Sequence, residues 1–191
     1  MKLTAILGSP RQGSNTDVLL EKALETARDR FVSIEKIVLN NLNIRPCQEC
    51  GRCLKTGTCQ IFDDMAVIYE ALDKADIVII ASPIFFGNVS AQAKTMIDRM
   101  QCFWARKYIL KKTKAKKNRR GAFISCGGLK TKEYFKCAKK VIDIFFKVQD
   151  IEYREELFAG GIDEAGDILK HKDILQKAFK MGKRLVSRIK N

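Results

Sequence analysis

Gly8-Ser9-Pro10-Arg11-Gln12-Gly13-Ser14-Asn15-Thr16 follows a short apolar run, Leu3 to Leu7, and precedes an amphipathic one. The leading run has the character of a buried strand. Behind the loop, Val18, Leu19, Ala23, Leu24, Ala27 and Phe31 are spaced by three and four, the period of a helix. A strand, a loop of small and hydroxylated residues and a helix start aim backbone N–H groups and the positive end of a helix dipole at one point. The stretch reads as an anion cradle at a strand end, with an ordinary turn capped by Ser14 or Thr16 as the alternative.

What the loop lacks narrows the anion. A nucleoside-triphosphate loop ends in Gly-Lys-Ser or Gly-Lys-Thr, whereas Gly13 is followed by Ser14 and Asn15. A dinucleotide fingerprint needs three glycines at fixed spacing, and only Gly8 and Gly13 are present. There remain the hydroxyls of Ser9, Ser14 and Thr16, the amide of Asn15 and the guanidinium of Arg11. That set suits a single terminal phosphate monoester of the kind FMN carries.

The rest of the chain continues the alternation of periods. Ser33 to Leu39 reads as a second strand, Asp76 to Ala81 as a central strand covered on both faces, and Gly121 to Cys126 as a fourth. A fifth, less apolar, lies within Ile151 to Ala159 and is expected at a sheet edge. Helical spacing marks Met65 to Leu72 behind an N-cap from Asp63 and Asp64, one long helix from Ala93 to Trp104, a helix over Tyr134 to Phe146, and a last one from Ile174 to Ile189. Strands alternating with helices predict an α/β fold: a flavodoxin-like, open, doubly wound, five-stranded parallel sheet of order 2-1-3-4-5, with a cysteine-rich insertion after strand 2.

In such a sheet the ligand sits at the carboxyl ends of the strands, where the order reverses. Two further loops meet the first there. Ser82-Pro83-Ile84-Phe85-Phe86-Gly87-Asn88 offers amides and an apolar surface to a flat ring, with Gly87 allowing close backbone approach. Ser125-Cys126-Gly127-Gly128 offers a second edge of small residues. The expected flavin contacts are therefore Pro83, Ile84, Phe85, Phe86, Gly87, Asn88, Ser125, Gly127 and Gly128, although Phe85 and Phe86 also suit a core.

At 191 residues the chain is sized for a single domain spanning 1–191. No apolar run approaches the roughly 20 residues of a membrane span, and the opening Met1 to Leu7 is too short for a signal-peptide core. A cytoplasmic protein without membrane insertion is expected. The net charge of +14 concentrates in Lys111, Lys112, Lys114, Lys116, Lys117, Arg119 and Arg120, and again in Lys183, Arg184, Arg188 and Lys190. No nucleic-acid motif accompanies it, so nucleic acid is not expected. The run reads as solvated surface, with an acidic electron-carrier protein such as ferredoxin as the alternative partner.

Four of the seven cysteines stand at Cys47-x2-Cys50-x2-Cys53-x5-Cys59. Two consecutive x2 gaps gather three thiolates on a compact loop, and a fourth arrives from further along, which suits the neighbouring irons of a 4Fe-4S cluster. Zinc, which more often takes separated pairs or histidine, and a redox-active thiol loop are the alternatives. Cys102, Cys126 and Cys137 fall in or beside regular elements and read as small buried hydrophobes, Cys126 being the one that faces the proposed flavin.

The loop Gly8 to Thr16, the four-cysteine run followed by Asp63-Asp64-Met65, the Ser82 to Asn88 loop and the later Asp98-Arg99 together resemble the iron–sulfur flavoproteins, within the wider NAD(P)H-dependent FMN reductase group. Gly161-Ile162-Asp163-Glu164-Ala165-Gly166-Asp167-Ile168 also resembles the tail of reductase members. The resemblance implies non-covalent FMN, a 4Fe-4S cluster on Cys47, Cys50, Cys53 and Cys59, and a homodimer or homotetramer. Family members often have tyrosine where this chain has Phe85. The implied function is electron transfer between the cluster and FMN, with NAD(P)H or ferredoxin as donor. The alternatives are an NAD(P)H-dependent FMN or quinone reductase whose cysteines are structural or bind zinc, and a binding module without flavin.

Overall fold

The computed structural model describes residues 1–112, 116 and 118–187. Lys114 and Lys117 of the basic run, and Arg188, Ile189 and Lys190 at the end of the chain, lie outside the described residues. In chain order the elements are β1 (Lys2–Leu7), α1 (Asn15–Arg28), β2 (Ser33–Val38), α2 (Arg52–Thr56), α3 (Met65–Lys74) and β3 (Ile77–Ala81). There follow β4 (Ile84–Phe85), β5 (Asn88–Val89), α4 (Ala91–Asp98), α5 (Gln101–Trp104), β6 (Arg120–Gly127), α6 (Lys136–Val148), β7 (Glu152–Gly160) and α7 (Lys172–Val186).

Five strands form one parallel sheet in the order β2-β1-β3-β6-β7. Counting only those five, the order is 2-1-3-4-5, as expected, and β7 lies at an edge. The remaining pair, β4 and β5, is a separate two-residue hairpin inside the second strand-end loop.

Successive residues of a strand face opposite sides of the sheet, so a central strand must be apolar on both. Ile6, Val78, Ile80 and Phe123 pack on the face covered by α3, α4, α5 and α6. Leu3, Ala5, Leu7, Ile77, Ile79, Ala122 and Ile124 pack on the face covered by α1 and α7. All of them are buried. The two layers leave the carboxyl ends of β1, β3 and β6 uncovered.

Several local expectations are corrected. The long helix from Ala93 to Trp104 is broken at Arg99 and Met100 into α4 and α5, and the chain then makes a π turn over Ala105–Ile109. The apolar spacing persists across the break, so periodicity alone cannot reveal it. Phe31 does not lie on the buried face of α1: the helix ends at Arg28, and Phe31 adopts φ 53° and is 98% exposed. Cys137 is exposed rather than buried.

Arg119 and Arg120 are not solvated surface. Arg119 is buried and donates to the carbonyls of Leu72 (2.6 Å) and Ala75 (3.0 Å) at the end of α3 and of Gln149 (2.7 Å) at the end of α6. Arg120 donates to Leu185 and Ser187 at the end of α7, both at 2.5 Å. The last turn of a helix has carbonyls without intrahelical partners and carries the negative end of the dipole, so a guanidinium satisfies both needs at once.

Candidate functional site

Three strand-end loops enclose a cavity of about 390 Å³, within the roughly 300–1,000 Å³ typical of small-molecule sites. Its walls include Ser9, Arg11, Ser14, Asn15 and Thr16 from the first loop, Pro83, Ile84 and Phe85 from the second, and Gly127 and Gly128 from the third. All ten were expected there. Cys126, Leu129, Tyr134, Ile162 and Asp163 complete the lining.

The floor presents backbone donors for a local reason. Ser14 caps α1 by accepting from the Asp17 amide at 3.3 Å, and the Val18 amide reaches the Ser14 carbonyl at 2.9 Å. The amides of Asn15 and Thr16 precede the first intrahelical bond and remain for a ligand. The one acid of this first turn, Asp17, accepts from the Gly13 amide (3.0 Å) and from Lys36 Nζ (2.6 Å), so its charge is offset before it can repel an anion. Lys36 also holds Glu21; burial opposes its charge, but these two carboxylates outweigh that effect and raise its pKa.

Buried hydroxyls knit the loops together. Ser82, Ser90 and Ser125 have no exposure. Ser90 Oγ donates to the Gly8 carbonyl at 2.5 Å and caps α4, the Ser90 amide donates to Ser82 Oγ at 2.9 Å, and Ser125 Oγ donates to the Ser82 carbonyl at 2.7 Å. Gly8 is required by this closeness: a Cβ there would stand 2.9 Å from Ala93 Cβ. Ser125, expected at the ring, is therefore a strut behind the wall. Asn15 is a strut as well as a wall residue. Its Nδ2 donates to the Glu164 carbonyl at 2.8 Å and its Oδ1 accepts from the Ile168 amide at 3.3 Å, which holds the segment carrying Ile162 and Asp163 over the cavity.

Phe86, Gly87 and Asn88 are outside the cavity lining. Phe86 and Gly87 are the turn of the β4–β5 hairpin, at φ 50° and 75°, the pair of positive values that a type I′ hairpin turn requires. Gly87 thus serves the turn rather than a close approach to a ring, and Phe86 projects into solvent. Asn88 Oδ1 accepts from the Val89 amide. Cys126 lines the cavity but is chemically quiet: burial pushes its thiol up to about 12, with the Thr16 hydroxyl pulling the other way. Tyr134 had read as helix core; Ile162 and Asp163 fall in the tail segment whose resemblance to reductases was the one available signal.

The cysteine segment builds a second cavity of about 840 Å³ outside the sheet. Cys47, Cys50, Cys53 and Cys59 all line it, together with Cys102, Trp104 and residues of α4 and α6. Burial raises the Cys53 thiol pKa, and the neighbouring charge of Cys47, then Cys59 and Cys50, adds to it. Four thiols around one space fit the donor chemistry of an iron–sulfur cluster. Among the described residues no three His, Cys, Asp or Glu side chains are drawn close enough for a single ion.

The segment is held from below. Asp63 accepts from the Met65 amide at the start of α3 (3.1 Å), as expected of a cap, and also forms a buried ion pair with Arg99, at 2.6 Å and 3.1 Å, and accepts from the Arg45 amide (3.0 Å). Asp64 accepts from the Asn43 amide at 2.7 Å. Burial raises the Asp63 pKa, but Arg99 and the two amides outweigh it and set the carboxyl below its ordinary value. Arg106 Nε donates to the Gly57 carbonyl at 2.7 Å while its guanidinium lies 4.7 Å from the Phe103 ring centre.

Sheet order and uncovered strand ends define a flavodoxin-like architecture. A family model described as NADPH-dependent FMN reductase matches residues 1–159, and the chain belongs to that family. It is 38% identical over 128 residues to an iron–sulfur flavoprotein of Methanosarcina thermophila, covering 67% of this chain and 64% of that one. It is 41% identical over 100 residues to an iron–sulfur flavoprotein of Archaeoglobus fulgidus, covering 52% and 46%. The match thus spans about half to two-thirds of the length of these relatives. Among solved structures, the FMN-dependent NADH-azoreductase of Bacillus anthracis in complex with FMN superposes with TM-score 0.71 at 16% identity, covering 98% of this chain and 100% of that one. At that identity the likeness bears on the fold alone.

Proposed function

We propose that the chain is a single flavodoxin-like domain that acts as an FMN-dependent oxidoreductase of iron–sulfur flavoprotein type. The observation that carries this reading is the strand-end cavity, with the unpaired amides of Asn15 and Thr16 at its floor and Ile84, Phe85 and Tyr134 along its walls. The helix start, Ser9, Ser14 and Thr16 bind the FMN phosphate, Arg11 supplies positive charge at the rim, and Pro83 to Phe85 with Gly127 and Gly128 flank the ring. Cys47, Cys50, Cys53 and Cys59 hold a 4Fe-4S cluster. A flavin exchanges electrons singly or in pairs and a cluster singly, so a chain holding both can join donors and acceptors of different electron count.

The family match and the names of the relatives support FMN and an NAD(P)H-linked activity. NAD(P)H or an acidic carrier such as ferredoxin is the donor, the working unit is a homo-oligomer, and the protein works in the cytoplasm. Among the described residues no helix is long and apolar enough to cross a membrane. Anaerobic purification with a visible spectrum, FMN release on denaturation, and iron and sulfide assays test the reading. Colourless protein that takes up no FMN overturns it. Stoichiometric FMN without iron after reconstitution replaces it with the FMN or quinone reductase whose cysteines carry no cluster.

A further inference from the structure

The two ends of the cysteine segment meet on one side chain. Arg99 stands where α4 ends, far from the segment in sequence, and is 1% exposed. Its Nη1 donates to the Arg45 carbonyl at 2.7 Å, two residues before Cys47, and its Nη2 donates to the Ile61 carbonyl at 3.3 Å, two residues after Cys59. Between them both nitrogens hold the Asp63 carboxylate, whose side chain is 5% exposed. Asp63 in turn takes the Arg45 amide.

The arginine itself is fixed from two other elements. Its carbonyl accepts from Tyr69 Oη of α3 at 2.9 Å and from Cys102 Sγ of α5 at 3.6 Å. A planar fork that binds a carboxylate and two carbonyls at once is a geometry lysine cannot reproduce, because an ammonium is a point donor. A buried guanidinium left without its carboxylate is strongly unfavourable, so such a pair has two states, closed or open, with little between.

We infer that Arg99 and Asp63 form a clasp that closes the cysteine segment and turns its four thiols toward one cavity before any cluster is bound. They are positioning residues for cluster assembly, a role that rests on the cluster reading above. Holding four ligands in advance removes the ordering cost from the assembly step. The flavin cavity is built by other residues, so the clasp acts on one site and leaves the other alone.

The test uses the full-length chain without a cluster. Alkylation of Cys47 and Cys59 by iodoacetamide, followed by mass spectrometry, is compared with that of Cys137, which is exposed on α6 and serves as internal reference. Arg99→Lys is expected to speed the first two by roughly tenfold or more relative to the third, since losing a buried clasp shifts local opening by that order. FMN content is expected to stay at the wild-type level, and iron taken up in reconstitution to fall. Wild-type alkylation rates in Arg99→Lys overturn the clasp, as does a full rescue of Arg99→Met by Arg99→Lys. A wild-type protein that takes up no iron removes the cluster reading while the alkylation result still judges the clasp. If the variants do not fold, amide exchange in the wild type decides: Arg45 must exchange at least about tenfold more slowly than Gln48 and Glu49, and equal rates overturn the proposal.

Discussion

The strand-end cavity and the cysteine cavity are walled by different means. The first is assembled from the carboxyl ends of neighbouring parallel strands, and its loops are joined by three serines with no exposure. The second lies off the sheet, on a segment whose only helix is the short α2, and depends on Arg99, Asp63 and Arg106 reaching it from elsewhere. A site made by a sheet inherits the stability of the sheet. A site made by an insertion keeps its shape only while a few charged side chains hold it, so the two should fail separately.

The largest expected effect is all-or-none. Cys50→Ser should lose cluster iron and keep FMN, measured as iron and flavin per chain; loss of both in a folded protein would show that the two cavities are one unit. Next comes Gly8→Val, which forces at least a Cβ to within 2.9 Å of Ala93 and should destabilise the chain by about 1–3 kcal/mol in urea while weakening FMN binding. Its cysteine alkylation rates should match those of the wild type.

Ser90→Ala leaves the Gly8 carbonyl without its hydroxyl donor and should cost about 1–3 kcal/mol of stability, read from the same urea midpoints. A comparable loss at the cysteine segment, detected by faster Cys59 alkylation, would blur the contrast. With pH the contrast takes a sign. Asp63 has a folded pKa below its unfolded value, so its contribution is complete above that unfolded value, about 3.9, and is lost as pH falls through the lower folded one. Protection of the Arg45 amide, corrected for intrinsic exchange, should stay level from neutrality down to about pH 5 and decline only in stronger acid. Smallest is the expected silence of Cys126: with its thiol pushed up to about 12, it should remain unalkylated at pH 8 while Cys50, which is exposed, reacts.

Much of the first site was legible because it is local. A strand buried on both faces writes itself as a continuous apolar run, and a helix start after such a run places its own amides. Ten of the fourteen residues expected at the flavin line the cavity. The four that do not are Phe86, Gly87, Asn88 and Ser125: Ser125 and Gly87 have the residue types of a binding loop, yet they hold a neighbouring loop or make a turn. Asn15 lines the cavity as expected and also ties down the Glu164 carbonyl, a partner more than a hundred positions away that residue type does not reveal. Tyr134 carries the spacing of a helix core and nevertheless faces the cavity.

The basic run teaches the same lesson with the opposite sign. Arg119 and Arg120 close a lysine-rich run, but they sit at the start of a strand that passes between helix ends, and three of those ends need donors. Likewise Asp63 and Asp64 stand where an N-cap belongs, and Asp63 does take the first amide of α3, but both also hold the base of the cysteine segment, which their position does not reveal.

The amino-acid sequence by itself determined the strands and helices, the free helix-start amides after the first strand and the cysteine spacing, because each follows from residues close together along the chain, and the strand order followed from the general rules for right-handed crossovers in such alternating chains. Only the tertiary structure decided where the chain breaks between α4 and α5, which arginines are buried, and that a guanidinium at that break grips both ends of the cysteine segment. Those features are contacts across tens of residues, and their energy comes from burial and from partners that no local pattern specifies.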